Sequence, residues 1–146
     1  AEAVVAYATA HLGGQPLGEA HELESISDSC FNLVLLSQRR YEKKIKFSSK
    51  ALKQINPYTA IVREFLTFNK KRLNNHIGEE DMIRAYSLER KIDRYRDNLK
   101  KAAQKRIRKG SDVNAEILYI DMLSQIERIG DYSLNISQAL RMTQLV

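Results

Sequence analysis

One cysteine, Cys30, is all this chain offers for disulfide or thiolate chemistry. No internal disulfide can form, and no CxxC pair is present to hold zinc. That fits a reducing compartment without requiring one. Breakers are equally scarce, with two prolines, Pro16 and Pro57, and six glycines, so long uninterrupted helices are allowed. No apolar run reaches the roughly 20 residues needed to span a bilayer, and no basic-then-apolar leader opens the chain. A length of 146 residues favours one domain, large enough to bury a core without staples.

What the sequence does have is helical periodicity and charge. Residues 1–17 read as a short helix and linker, broken by Gly13, Gly14 and Pro16, and 18–146 as one helical domain. A long helix is expected from about Gly18 to Lys50, with Leu23, Ile26, Cys30, Leu33 and Ser37 as its stripe, Cys30 being a small buried residue. Asn56-Pro57 reads as the start of a second helix, capped by Asn56 and ending near His76, with Ile61, Phe65 and Phe68 inward. A third spans about 79–109, with acids at its start, the seam Ala85, Leu88, Ile92, Tyr95, Leu99 and Ala102, and Gly110 as its stop. Asp112 can cap the fourth, about 113–144, whose seam runs Tyr119, Met122, Ile126, Ile129, Ser133, Ile136, Leu140. Tyr86, Tyr95 and Tyr119 are expected to pack in the core. Short loops between such helices give an all-α antiparallel bundle.

The net charge of +6 is concentrated. Lys91 to Lys109 holds nine basic and two acidic residues, a local +7. Such a strip suits nucleic acid, an anionic membrane surface or phosphate, or is simply a solvated face.

The chemistry sits in carboxylates. Glu24 and Asp28, Glu89 and Asp93, and Glu127 and Asp131 are each four apart, hence stacked on one helix face. Like charges at that spacing repel by a few tenths of a kcal/mol. Each Glu follows a seam residue (Leu23, Leu88, Ile126), so each pair borders the core. There it must be protonated, paired with a base or bound to a cation. Glu89 lies 21 residues before Gly110 and Glu127 lies 17 after it. An antiparallel hairpin therefore sets the two pairs at similar height. Without metal, raised carboxylate pKa values or pairing with Arg90 and Lys91 are expected. Glu-x-Ile-x-Asp-x-x-x-Asn also occurs twice, from Glu24 to Asn32 and from Glu127 to Asn135, at an offset of 103, which points to a duplicated helical unit. No Glu-x-x-His of the di-iron type occurs. An oxygen-rich ligand set suits hard or borderline cations.

Glu127-Arg128-Ile129-Gly130-Asp131 followed by Asn135-Ile136, and Leu88-Glu89-Arg90-Lys91-Ile92-Asp93, resemble the signature of the PhoU family. Ala85 through Asp97, Lys105-Arg106-Ile107, Gly110 and Tyr119-Ile120-Asp121 are similar to the soluble C-terminal domain of bacterial sodium/phosphate cotransporter-family proteins. The resemblance implies a PhoU-like bundle that regulates phosphate uptake and is not an enzyme. It implies a divalent or ferric ion (iron, zinc or similar) on Glu89, Asp93, Glu127 and Asp131. Glu24 and Asp28 are a secondary pair: Ser27 stands where the signature has Gly, and the partner motif helix of their repeat is missing. The implied location is cytoplasmic, at the inner face of the cell membrane. The implied partner is the membrane part of the same protein or a phosphate transporter, and a homodimer is admitted. The start at Ala1 fits a piece of such a protein. Nucleic acid is not an expected partner.

Other readings stay open at this point. One is a structural or dimerising bundle without metal. Another is a nucleic-acid- or anion-binding module acting through 91–109. Catalysis by paired carboxylates is disfavoured, because no nucleophile–base pair accompanies them and His11, His21 and His76 fall near helix ends.

Overall fold

The structure, a computed structural model, describes residues 17–73, 75 and 77–142. Among them are four helices and no strand: α1 Leu17–Glu42, α2 Ser49–Lys70, α3 Glu79–Arg108 and α4 Val113–Met142. The short helix expected at 1–12 lies outside the described residues, as do His11 and His76.

Three expected boundaries are corrected. α1 stops at Glu42 and does not run to Lys50. Lys44 takes a positive φ of 52°, and the Ile45 N–H closes back on the Arg40 carbonyl at 2.9 Å. This is a Schellman-type end built without glycine, so composition did not mark it. α2 begins at Ser49 and not at Pro57. Ser48 is extended, and its Oγ accepts the Ala51 N–H at 3.1 Å, satisfying a free donor of the first turn. Pro57 lies inside this helix. It removes the bond to the Lys53 carbonyl, but both residues are exposed, so water can take that acceptor's place. α2 also ends earlier than expected, at Lys70 and not near His76, whereas the bounds of α3 and the start of α4 hold. Gly110, at φ 93°, follows the end of α3, and Asp112 accepts the Asn114 N–H at 3.0 Å to start α4.

α4 is the central element. α3 packs on it antiparallel, α2 packs on both α3 and α4, and α1 packs along α4 alone. α4 therefore buries residues around most of its circumference, including Tyr119, Leu123, Ile126, Ile129, Ser133, Ile136 and Leu140. The buried chain runs on through Tyr58, Val62, Phe65 and Phe68 of α2 and Ala85, Leu88, Ile92 and Leu99 of α3. At about 25 cal/mol per Å² of apolar surface, it is this burial that drives folding.

Because α1 has one helical neighbour, its buried stripe is narrow. Ala20, Ile26 and Ser29 are covered. Cys30, expected inside, is exposed, beside exposed Phe31, Val34 and Leu35. Tyr86 and Tyr95 are likewise exposed and not in the core; Tyr119 is fully buried. In α3 the seam steps from Ile92 by four to Arg96, then by three to Leu99 and four to Ala103, which leaves Tyr95 on the outer side.

Candidate metal centre

Gly130 of α4 meets Ile92 of α3. A Cβ built on this glycine would sit 3.1 Å from Ile92 Cγ2 and 3.2 Å from its Cδ1. A side chain here would push Ile92 aside by a few tenths of an ångström, so glycine favours the close approach of the helices. Gly130 directly precedes Asp131, and Ile92 directly precedes Asp93, so the close approach draws carboxylates together.

Glu89, Asp93 and Asp131 each place a carboxylate oxygen within 4.8 Å of the others. Glu89 and Asp93 are half-buried, and Asp131 keeps a side open to solvent. Burial first, then a hydrogen bond and repulsion from Asp93, hold the Glu89 carboxyl above its ordinary value. Burial, then Asp93, raise Asp131. These are the shifts expected of like charges gathered where water is partly excluded.

Glu127 is placed differently. Its carboxylate is ion-paired with Arg96 and lies 3.8 Å from Lys100. Arg96 also reaches Asp93 at 3.2 Å and Asp97 at 3.0 Å. Burial alone would lower the Arg96 pKa, but the bond to Asp97 and the charges of Asp93 and Asp97 outweigh it. Arg96 thus serves as a fixed cation at the edge of the cluster. The cations expected in that role, Arg90 and Lys91, are instead exposed and outward-facing. Helix phase decides this, because Arg96 continues the seam and Arg90 does not.

Tyr58 of α2 lies within electrostatic reach of the cluster. It is fully buried and donates to the Leu123 carbonyl at 3.1 Å. Burial, and then the charges of Asp131 and Asp93, push its phenol far above the ordinary value against the opposing pull of Arg96. Sequence reasoning missed both residues. The four-residue step from Ile92 could have revealed Arg96, whereas nothing in the sequence marks Tyr58.

Glu24 is half-buried and Asp28 exposed on α1. Among the described residues no third ligand-type side chain joins them, since α1 faces no helix but α4.

Residues 71–140 match the family model for the PhoU domain. The matched stretch is PhoU-like. It runs from just after α2 through Leu140 and contains Glu89, Asp93, Arg96, Glu127 and Asp131, while α1 with Glu24 and Asp28 lies outside it. Comparison with curated proteins and with solved structures gives no match.

The donor set can be tested against a metal on its chemistry. Three converging carboxylates, with no nitrogen or sulfur ligand among the described residues, fit a hard or borderline cation. Asp131 leaves an entry side, and three mutually repelling anions want a countercharge.

Proposed function

We propose that this domain is a regulatory module of phosphate transport. It acts on the cytoplasmic side of a sodium/phosphate cotransporter-like protein and holds a divalent or ferric ion on Glu89, Asp93 and Asp131. The observation that carries the reading is the coincidence of the PhoU-like stretch with the one cluster of three carboxylates among the described residues. Its partner is the transporter's membrane part, and the metal is regulatory, not catalytic. Asp93 and Asp131 link α3 to α4 through the ion, so metal occupancy sets how firmly the central helix is clamped. Glu127 is a further ligand only if it exchanges Arg96 for the ion.

One observation favours a different reading. Arg96 already neutralises Asp93 and Glu127, as a structural bundle without metal would require.

The two readings separate in one experiment. Protein purified without chelator or affinity nickel is compared with an Asp93→Ala, Asp131→Ala double variant by elemental analysis and by Tm with and without EDTA. The expected result is metal in the wild type, a Tm lowered by EDTA, and neither property in the variant. A metal-free wild type from metal-rich growth, with a variant at least as stable, would leave Arg96 as the cluster's countercharge and end the metal reading.

A further inference from the structure

The cations of α3 are sorted by face. Those turned toward α4 are paired: Arg96 with Asp93, Asp97 and Glu127, Lys100 with Glu127, and Arg106 with Glu116. At the N-terminal end Arg84 pairs with Glu64 of α2, but beyond it the outward row is unpaired. Arg90, Arg94, Lys101, Lys105 and Arg108 are all exposed, and none forms an ion pair with a described residue. At 100° per residue these five fall within about 60° of one another, in a straight line about 27 Å long. The one acid bordering the line, Asp97, is held by Arg96.

Unpaired like charges in a row repel and contribute nothing to the fold, which directs attention to a partner carrying the opposite sign. The shape of the stripe selects among anionic partners. α3 is packed on by both α2 and α4, so only this face is free. Single strands call for a row of stacking aromatics, and the stripe holds none: exposed Tyr86 and Tyr95 stand about 40° and about 80° off its two edges. A flat, straight, one-signed strip matches a flat anionic surface.

We infer that the Arg90–Arg108 stripe of α3 is the surface this domain lays against an anionic lipid bilayer. It refines the membrane location proposed above but uses neither metal nor transporter. The test therefore runs in EDTA on this chain alone, and its failure leaves the metal result standing.

Binding is measured to phosphatidylcholine vesicles with and without phosphatidylserine at about 0.1 M salt. Two triple variants, matched in charge and checked for wild-type Tm, are compared: Arg94→Gln, Lys101→Gln, Lys105→Gln on the stripe, and Lys43→Gln, Lys46→Gln, Lys53→Gln elsewhere. The expected result is binding only to serine-containing vesicles and weakening with salt. The stripe variant should lose affinity about a hundredfold, roughly fivefold per cation, and the control variant far less. Equal loss in both variants, no preference for phosphatidylserine, or tighter binding to duplex DNA than to vesicles at the same salt overturns the proposal.

Discussion

Asn32 and Asn135 make the same hydrogen bond from opposite sides of one contact. Asn32 on α1 donates to Gln125 on α4 at 3.4 Å, and Asn135 on α4 donates to Glu22 on α1 at 3.2 Å. The donors are 103 residues apart, as are the acceptors. The repeat visible in the sequence is therefore also a local two-fold relation, with α1 and α4 antiparallel about it. The relation stops at this pair of helices among the described residues, since α2 and α3 pack on α4 and on α1 nothing equivalent does.

Both bonds are long and partly open to water, so each should contribute little. Asn32→Ala and Asn135→Ala are each expected to cost about 0.5–1 kcal/mol. The sites lie at opposite ends of the contact, so the double variant should be additive within ~0.5 kcal/mol. Urea unfolding of the three variants measures this; strong non-additivity would contradict two independent contacts.

Gly130→Ala sets two effects against each other. Alanine gains about 1 kcal/mol of helix propensity. Crowding Ile92 at 3.1–3.2 Å costs about 1–3 kcal/mol, as overpacking of a fixed core does. The expected net is a loss of ~1 kcal/mol, with Asp131 moved away from Asp93. A Gly130→Ala protein more stable than wild type would show that the α3–α4 spacing is not set by this contact.

Arg106 holds a buried carboxylate. Its Nε and Nη2 donate to the two oxygens of Glu116, both at 2.8 Å, and its Nη1 donates to Gln54 at 3.2 Å. Arg106→Met keeps the apolar stem but strands Glu116, which is buried, and removing one partner of a buried pair costs about 3–5 kcal/mol. Restoring size without charge by the double change Arg106→Met, Glu116→Leu should recover most of that loss. Denaturant midpoints decide, and an Arg106→Met protein within 1 kcal/mol of wild type (about a tenth of a typical domain's stability) would refute it.

The acidic cluster gives a pH dependence of definite sign. Folding raises the Glu89 and Asp131 pKa values, so the folded state holds these protons more tightly than the unfolded chain. The penalty is fully present above the raised values. It disappears as pH falls through them to the ordinary carboxylate range near about 4. In EDTA, a Glu89→Gln, Asp131→Asn variant is expected to have a higher Tm than wild type at neutral pH, and the gap should close on acidification. A gap that stays constant, or that favours wild type at neutral pH, would be inconsistent with repulsion at this site.

The sequence by itself determined the helices and the pairing of motifs. Heptad-like steps through Ala85, Leu88 and Ile92, and through Ile126, Ile129 and Ser133, set which sides face inward, because burial rewards a fixed spacing. Gly110 and Asp112 set the hairpin that brings Asp93 level with Asp131. Where α1 ends and α2 begins was not legible, because Lys44 adopts the glycine-type turn and Ser48 supplies a cap that Asn56-Pro57 imitates. Only the tertiary structure decided which carboxylates converge. Glu127 and Asp131 occupy equivalent-looking positions four apart, yet one meets Arg96 and the other meets Glu89 and Asp93. That choice depends on a separation of a few ångströms between α3 and α4, set by Gly130 against Ile92, and on a half-buried arginine whose seam phase carries it into the gap. Periodicity fixes direction around a helix axis; the distance to a neighbouring helix comes from packing.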